Sequence, residues 1–73
     1  MNNSNNNELI SDGLERISAA AAFLGMSRSN VYRLIHEGVL PSVKIGKSRR
    51  VPIRAVRDLV LNNMVSLSKE SAT

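Results

Sequence analysis

Between residues 27 and 57 the apolar period of the chain changes from that of a helix to that of a strand, and few folds accommodate the change. Val31, Leu34 and Ile35 recur at i, i+3 and i+4 and give residues 27–37 one apolar face. Gly38 stops this helix and Pro41 bars its continuation. Beyond it, Val43 and Ile45 alternate with Ser42 and Lys44, and Val51 and Ile53 share a parity after a Gly46-Lys47-Ser48 turn. The pattern predicts a helix followed directly by a short hairpin.

Charge is concentrated in the same stretch. Eight of the ten cations (Arg28, Arg33, Lys44, Lys47, Arg49, Arg50, Arg54 and Arg57) lie there against one acid, Glu37, a net charge of +7. Charge at that density repels itself unless a polyanion neutralises it, and a helix followed by a basic hairpin suits a nucleic-acid duplex.

Length and composition narrow the classes. A chain of 73 residues supplies one small core and no room for a catalytic domain with a deep pocket. An apolar share of 42% with few aromatics places that core on Leu, Ile, Val and Ala. With no cysteine and a single histidine, His36, neither a disulfide framework nor a structural metal site is expected. No carboxylate pair or nucleophile accompanies His36, so catalytic residues and cofactors are expected to be none. No apolar run approaches the roughly 20 residues of a membrane span, and no basic-then-apolar leader opens the chain. The expectation is a cytoplasmic protein of a bacterial or phage-infected host, without membrane contact.

The organisation reads as three parts. Residues 1–14 are expected to form a disordered polar tail: residues 2–7 are Asn-Asn-Ser-Asn-Asn-Asn, which buries nothing to offset ordering entropy, and residues 8–13 are a mixed lead-in. Residues 15–64 form the domain, and residues 65–73 a flexible Ser-rich tail. The domain opens with Ile17-Ser18-Ala19-Ala20-Ala21-Ala22-Phe23-Leu24-Gly25, a first helix with Ser18 as N-cap and Gly25 at its end. Ser27 is the N-cap candidate of the second helix, after a turn of about three residues. A third helix, about residues 53–64, buries Val56, Leu59 and Val60, with Pro52 at its start. The fold class expected is α+β, mainly α: three helices with a two-stranded hairpin wing.

Taken in order, Leu24-Gly25-Met26-Ser27-Arg28-Ser29-Asn30-Val31-Tyr32-Arg33-Leu34-Ile35, then Gly38, Leu40-Pro41, Val43-Lys44-Ile45-Gly46 and Arg49-Arg50-Val51-Pro52, resemble the excisionase-family DNA-binding domain, a MerR-like winged helix-turn-helix. The match covers about residues 16–62. It departs at the first helix, where the family commonly carries Glu and this chain has Ala19 and Ala22. The resemblance implies recombination directionality factors, which bind and bend attachment-site DNA beside an integrase. It also implies small phage or plasmid transcription regulators and the DNA-binding ends of terminase small subunits. A free-standing domain with short tails favours the first two.

On this reading the 27–37 helix enters a major groove. Arg33, at the centre of its exposed face with Ser29 and His36, suits a bidentate contact to guanine O6 and N7. Ser27, Arg28, Ser29, Asn30 and Tyr32 complete the helix's candidate contacts, and Lys44, Lys47, Ser48, Arg49 and Arg50 those of the wing, to phosphate or minor groove. Expected partners are double-stranded DNA, a cognate integrase, and further copies of the chain bound cooperatively on DNA. Leu61 and Val65, four apart on the outer side of the third helix, are either a docking stripe or a frayed end. Arg54 and Arg57 are read as solubilising charges. A third hypothesis, an interaction module whose basic face binds an acidic protein, predicts failure to bind any duplex.

Overall fold

The computed structural model describes residues 4–65, with side chains from residue 7 onward. Seven elements follow one another: α1 (Ser4–Leu9), β1 (Leu14–Arg16), α2 (Ile17–Leu24), α3 (Arg28–His36), β2 (Val43–Ile45), β3 (Ser48–Pro52) and α4 (Ile53–Asn62). The strands form one antiparallel sheet in the order β1-β3-β2. This is a small winged helix-turn-helix of the α+β class, with one helix and one strand more than the sequence predicts.

The helix-turn-helix is built from its stops. At the end of α2 the Met26 N–H donates to the Ala21 carbonyl at 3.0 Å and the Gly25 N–H to Ala22 at 3.2 Å. The end of α3 repeats the pattern, Val39 to Leu34 at 2.9 Å and Gly38 to Ile35 at 3.0 Å, the reciprocal pair of a Schellman motif. The residue between helix and exit must take a left-handed conformation, which is why Gly38 stands there at φ +80°. Between the helices, the Ser27 side chain accepts from the Asn30 N–H at 3.2 Å, as expected of the N-cap.

The wing turn is tighter than predicted. Ile45 pairs with Ser48, so the loop is Gly46-Lys47 alone and Ser48 already belongs to β3. Gly46 has φ +62° whereas no non-glycine residue among the described ones has positive φ, the signature of a type II′ turn with glycine first.

The core contains Ile17, Ala20 and Ala21 of α2, Val31 of α3, Leu40 of the α3–β2 connection, Val51 of β3, and Ala55 and Val56 of α4. Ala20 and Val31 are wholly inaccessible, and α3 packs on α2, where the small alanine lets the helices approach closely. Leu24, Met26, Leu34, Ile35 and Leu59 lie partly buried around it. Among the described residues no polar or charged side chain is buried, so the fold rests on apolar packing and backbone pairing.

Four expectations are corrected. The lead-in is built into the structure instead of trailing from it: residues 4–9 are helical, Leu9 packs against the core, and the Gly13 carbonyl accepts from the Ile53 N–H at 3.0 Å. Arg54 and Arg57 hold it there, Arg54 through Nη1 to the Glu8 carbonyl at 3.2 Å and Arg57 through an ion pair with Asp12. Residues 1–3 of the expected tail, and 66–73 of the C-terminal one, lie outside the described residues. The N-cap of α2 is Arg16, not Ser18, because β1 runs straight into the helix and sets its first residue at Ile17. Finally, α4 ends at Asn62, and Val60 is 38% exposed where burial was expected; of the three residues expected inside, Val56 and Leu59 turn inward, together with Ala55.

Candidate nucleic-acid interface

With Val31 buried and Leu34 and Ile35 against the core, the geometry of α3 turns the remaining side chains out. Arg28, Ser29, Asn30, Tyr32, Arg33 and His36 are all exposed. Ser29, Arg33 and His36 follow at i, i+4 and i+7, a single row along the helix. Arg33 lies at its middle, with Nη2 to Asn30 Oδ1 at 3.5 Å and Nη1 to Glu37 Oε2 at 3.5 Å. Both contacts are long and solvent-exposed, so each is worth little and either can be exchanged for another acceptor. Ser27, though exposed, spends one acceptor site on the Asn30 N–H and keeps its hydroxyl hydrogen to donate.

The wing cations do not form one cluster. Lys47 occupies the tip, while strand alternation divides the others between the two faces of the sheet. Lys44 and Arg49 are register partners on the face that carries Val51, and the Arg49 guanidinium reaches back to Ser42 Oγ at 3.0 Å. Arg50 and Ser48 share the opposite face with Val43 and Ile45. Lys44, Lys47 and Ser48 are exposed, and Arg49 and Arg50 are partly buried.

One cation was not anticipated. Arg16, the last residue of β1, is the register partner of Arg50 and is exposed. No local pattern in Leu14-Glu15-Arg16 marks a strand, so only the pairing brings Arg16 to the sheet face. Helix α3 and the wing hang on the same core, through Val31 of α3, Leu40 of the connection and Val51 of β3. Among the described residues, no group of three or more His, Cys, Asp or Glu could hold a metal ion, and no helix is long and apolar enough to cross a membrane.

Residues 16–64 match a protein family described as a helix-turn-helix domain, which covers the chain from the end of β1 to just past α4. The chain belongs to the excisionase-type helix-turn-helix family. A protein named "Putative DNA-binding protein" in two strains of Mycobacterium tuberculosis is 43% identical over 44 residues, 60% of this chain and 56% of that one. A "Probable excisionase" of Saccharopolyspora erythraea is 40% identical over 42 residues, 58% of this chain and 43% of that one. The aligned part thus spans about half the length of these curated relatives. No solved structure matches the chain. Fold and family agree on a helix-turn-helix domain, and the relatives that match it are named as a DNA-binding protein and an excisionase.

Proposed function

We propose that the protein is an excisionase, a recombination directionality factor that binds attachment-site DNA and assists an integrase in excising a mobile element. The observation that carries the reading is the outward row Ser29, Arg33 and His36 on a helix whose other face is locked into the core, beside a cationic hairpin. The relative named "Probable excisionase" supports the choice of pathway. The protein acts by position alone, with no chemistry of its own.

In this reading α3 lies in a major groove. Arg33 addresses a guanine edge, Ser29 and Asn30 address base edges or the flanking phosphate, and Ser27, Arg28, Tyr32 and His36 hold the backbone. The wing residues Lys44, Lys47, Ser48, Arg49 and Arg50 take the neighbouring phosphates or the minor groove. Removing wing charge in Lys47→Ala with Arg49→Ala is expected to weaken cognate and random duplex about equally. With about five phosphates neutralised, the affinity of the unmodified protein should fall with salt at a log–log slope near −4 to −5. A nearly flat salt dependence would contradict an electrostatic wing and favour an acidic protein as the partner.

One such module buries only about 600–1,000 Å², too little to mark a unique site, so several copies bind adjacent sites cooperatively. The outward Leu61 and Val65, 63% and 62% exposed, supply a contact between neighbours that is too small to hold a dimer off DNA. The deciding experiment is integrase-driven excision of a plasmid-borne element, titrated with the protein and with Leu61→Ser. Excision should depend on the protein steeply, and less steeply for the variant. Excision indifferent to the protein rules out the recombination role. A transcription regulator with the same docking is the second reading, compatible with the 43%-identical relatives, whose name gives DNA binding and no recombination role.

A further inference from the structure

We propose that Arg16 and Arg50 form a second phosphate clamp, on the sheet face away from Val51, that takes a backbone phosphate of the bound duplex. The proposal rests on the DNA-binding reading and adds to it a contact outside the recognition helix and the wing tip.

Strand register sets the geometry. Arg16 of β1 and Arg50 of β3 are paired residues in an antiparallel ladder, so their side chains leave the same face of the sheet side by side. On the other side of Arg50 the row ends in Val43. The two ion pairs among the described residues, Arg33 with Glu37 and Arg57 with Asp12, involve neither arginine. Glu15, the nearest acid in sequence, pairs with Val51 and belongs to the opposite face. Like charges directly opposite each other on a sheet are destabilising, and no ion pair among the described residues relieves these two.

Arg16 is unfavourable for a second, independent reason. It is the N-cap of α2, at the positive end of the helix dipole, and makes no side-chain capping bond. A serine, threonine or aspartate there would accept a helix N–H and would remove the repulsion as well. The chain therefore holds a cation where both sheet and helix disfavour one. A phosphate between the two guanidinium groups reverses both penalties, because an anion is attracted by the pair and by the helix end together. Residues that conflict with local structure in this way are the mark of a binding site.

The test is Arg16→Ser, which supplies a cap and removes the like-charge contact. The free protein is expected to melt about 4–8 °C higher. On both cognate and random duplex it should bind about three- to tenfold more weakly, with the salt slope reduced in magnitude by about 0.9. Arg16→Lys keeps the charge and should keep the salt slope without the gain in stability. Arg16→Gln, measured in parallel, removes the charge without a short capping side chain and should reproduce the loss of affinity and slope, so the proposal remains testable if Arg16→Ser folds poorly. Unchanged affinity and slope in Arg16→Ser, while Lys47→Ala with Arg49→Ala still weakens binding, overturns the clamp and leaves the DNA-binding reading intact. A loss confined to the cognate site overturns it as well, since a phosphate carries no sequence. Failure of the unmodified protein to bind any duplex overturns both.

Discussion

Replacing Leu40 with alanine should leave a large part of the protein unfolded under conditions where the parent is native. Leu40 is 1% exposed and is the largest fully buried side chain, yet it belongs to no helix or strand. It sits two residues beyond the Gly38 stop, its N–H bonded to the Leu34 carbonyl at 3.2 Å, and fills the core where α3 hands over to the wing. Truncating a buried leucine costs about 2–5 kcal/mol, through lost transfer energy and the cavity left behind. A domain of this size has a total stability of about 4–11 kcal/mol. The melting temperature followed by circular dichroism should fall by at least about 10 °C. Ile45→Ala is the control: Ile45 is 60% exposed in the wing and should change stability little. A Leu40→Ala protein that melts within a few degrees of the parent would mean that the connection does not pack as described.

The second large effect is on specificity. Arg33→Ala should cost about 1–3 kcal/mol on a cognate site, about five- to 150-fold in affinity, and far less on random duplex. The structure adds a competing term, because the Arg33 guanidinium is shared between Asn30 and Glu37 on its own helix before DNA arrives. Those exposed contacts are weak enough to be surrendered. Glu37→Gln, which removes the competing carboxylate, should therefore move affinity the other way. Footprinting at matched salt distinguishes the two changes, and an Arg33→Ala protein with unchanged site preference would place the recognition residue elsewhere. His36 is the internal comparison: it lies in the same row toward the end of α3 and should matter less if base contact concentrates near the centre of the helix.

Much of this molecule is written locally. The 3.6 period through Val31, Leu34 and Ile35, the Ser27 cap, the glycines at the ends of α2 and α3, and the Gly46-Lys47 turn each act over a few residues. Their physics is complete within the segment: a hydrogen bond three to five residues away, or a φ that only glycine reaches cheaply. That is why the second helix, both turns and the hairpin, and with them the exposed row on α3, are legible in the amino-acid sequence. The exposed Leu61 is legible for the same reason, since one helical period decides which way it points, whereas Val65 lies beyond the end of α4.

What only the tertiary structure decided lies where the chain closes a long loop. β1 is three residues with no alternation, and it exists because β3 offers it a free edge: Leu14, Glu15 and Arg16 find Pro52, Val51 and Arg50. That pairing moves the cap of α2 from Ser18 to Arg16 and sets two arginines side by side. In the same way Arg54 and Arg57, read from sequence as solvated charge, find Glu8 and Asp12 across 46 and 45 residues. Each such contact must outweigh the entropy of closing its loop, and it does so only after the core has brought the ends together. The amino-acid sequence alone determined the elements whose bonds are short-range. The partners of β1, and the charges it carries to the sheet face, were decided by packing.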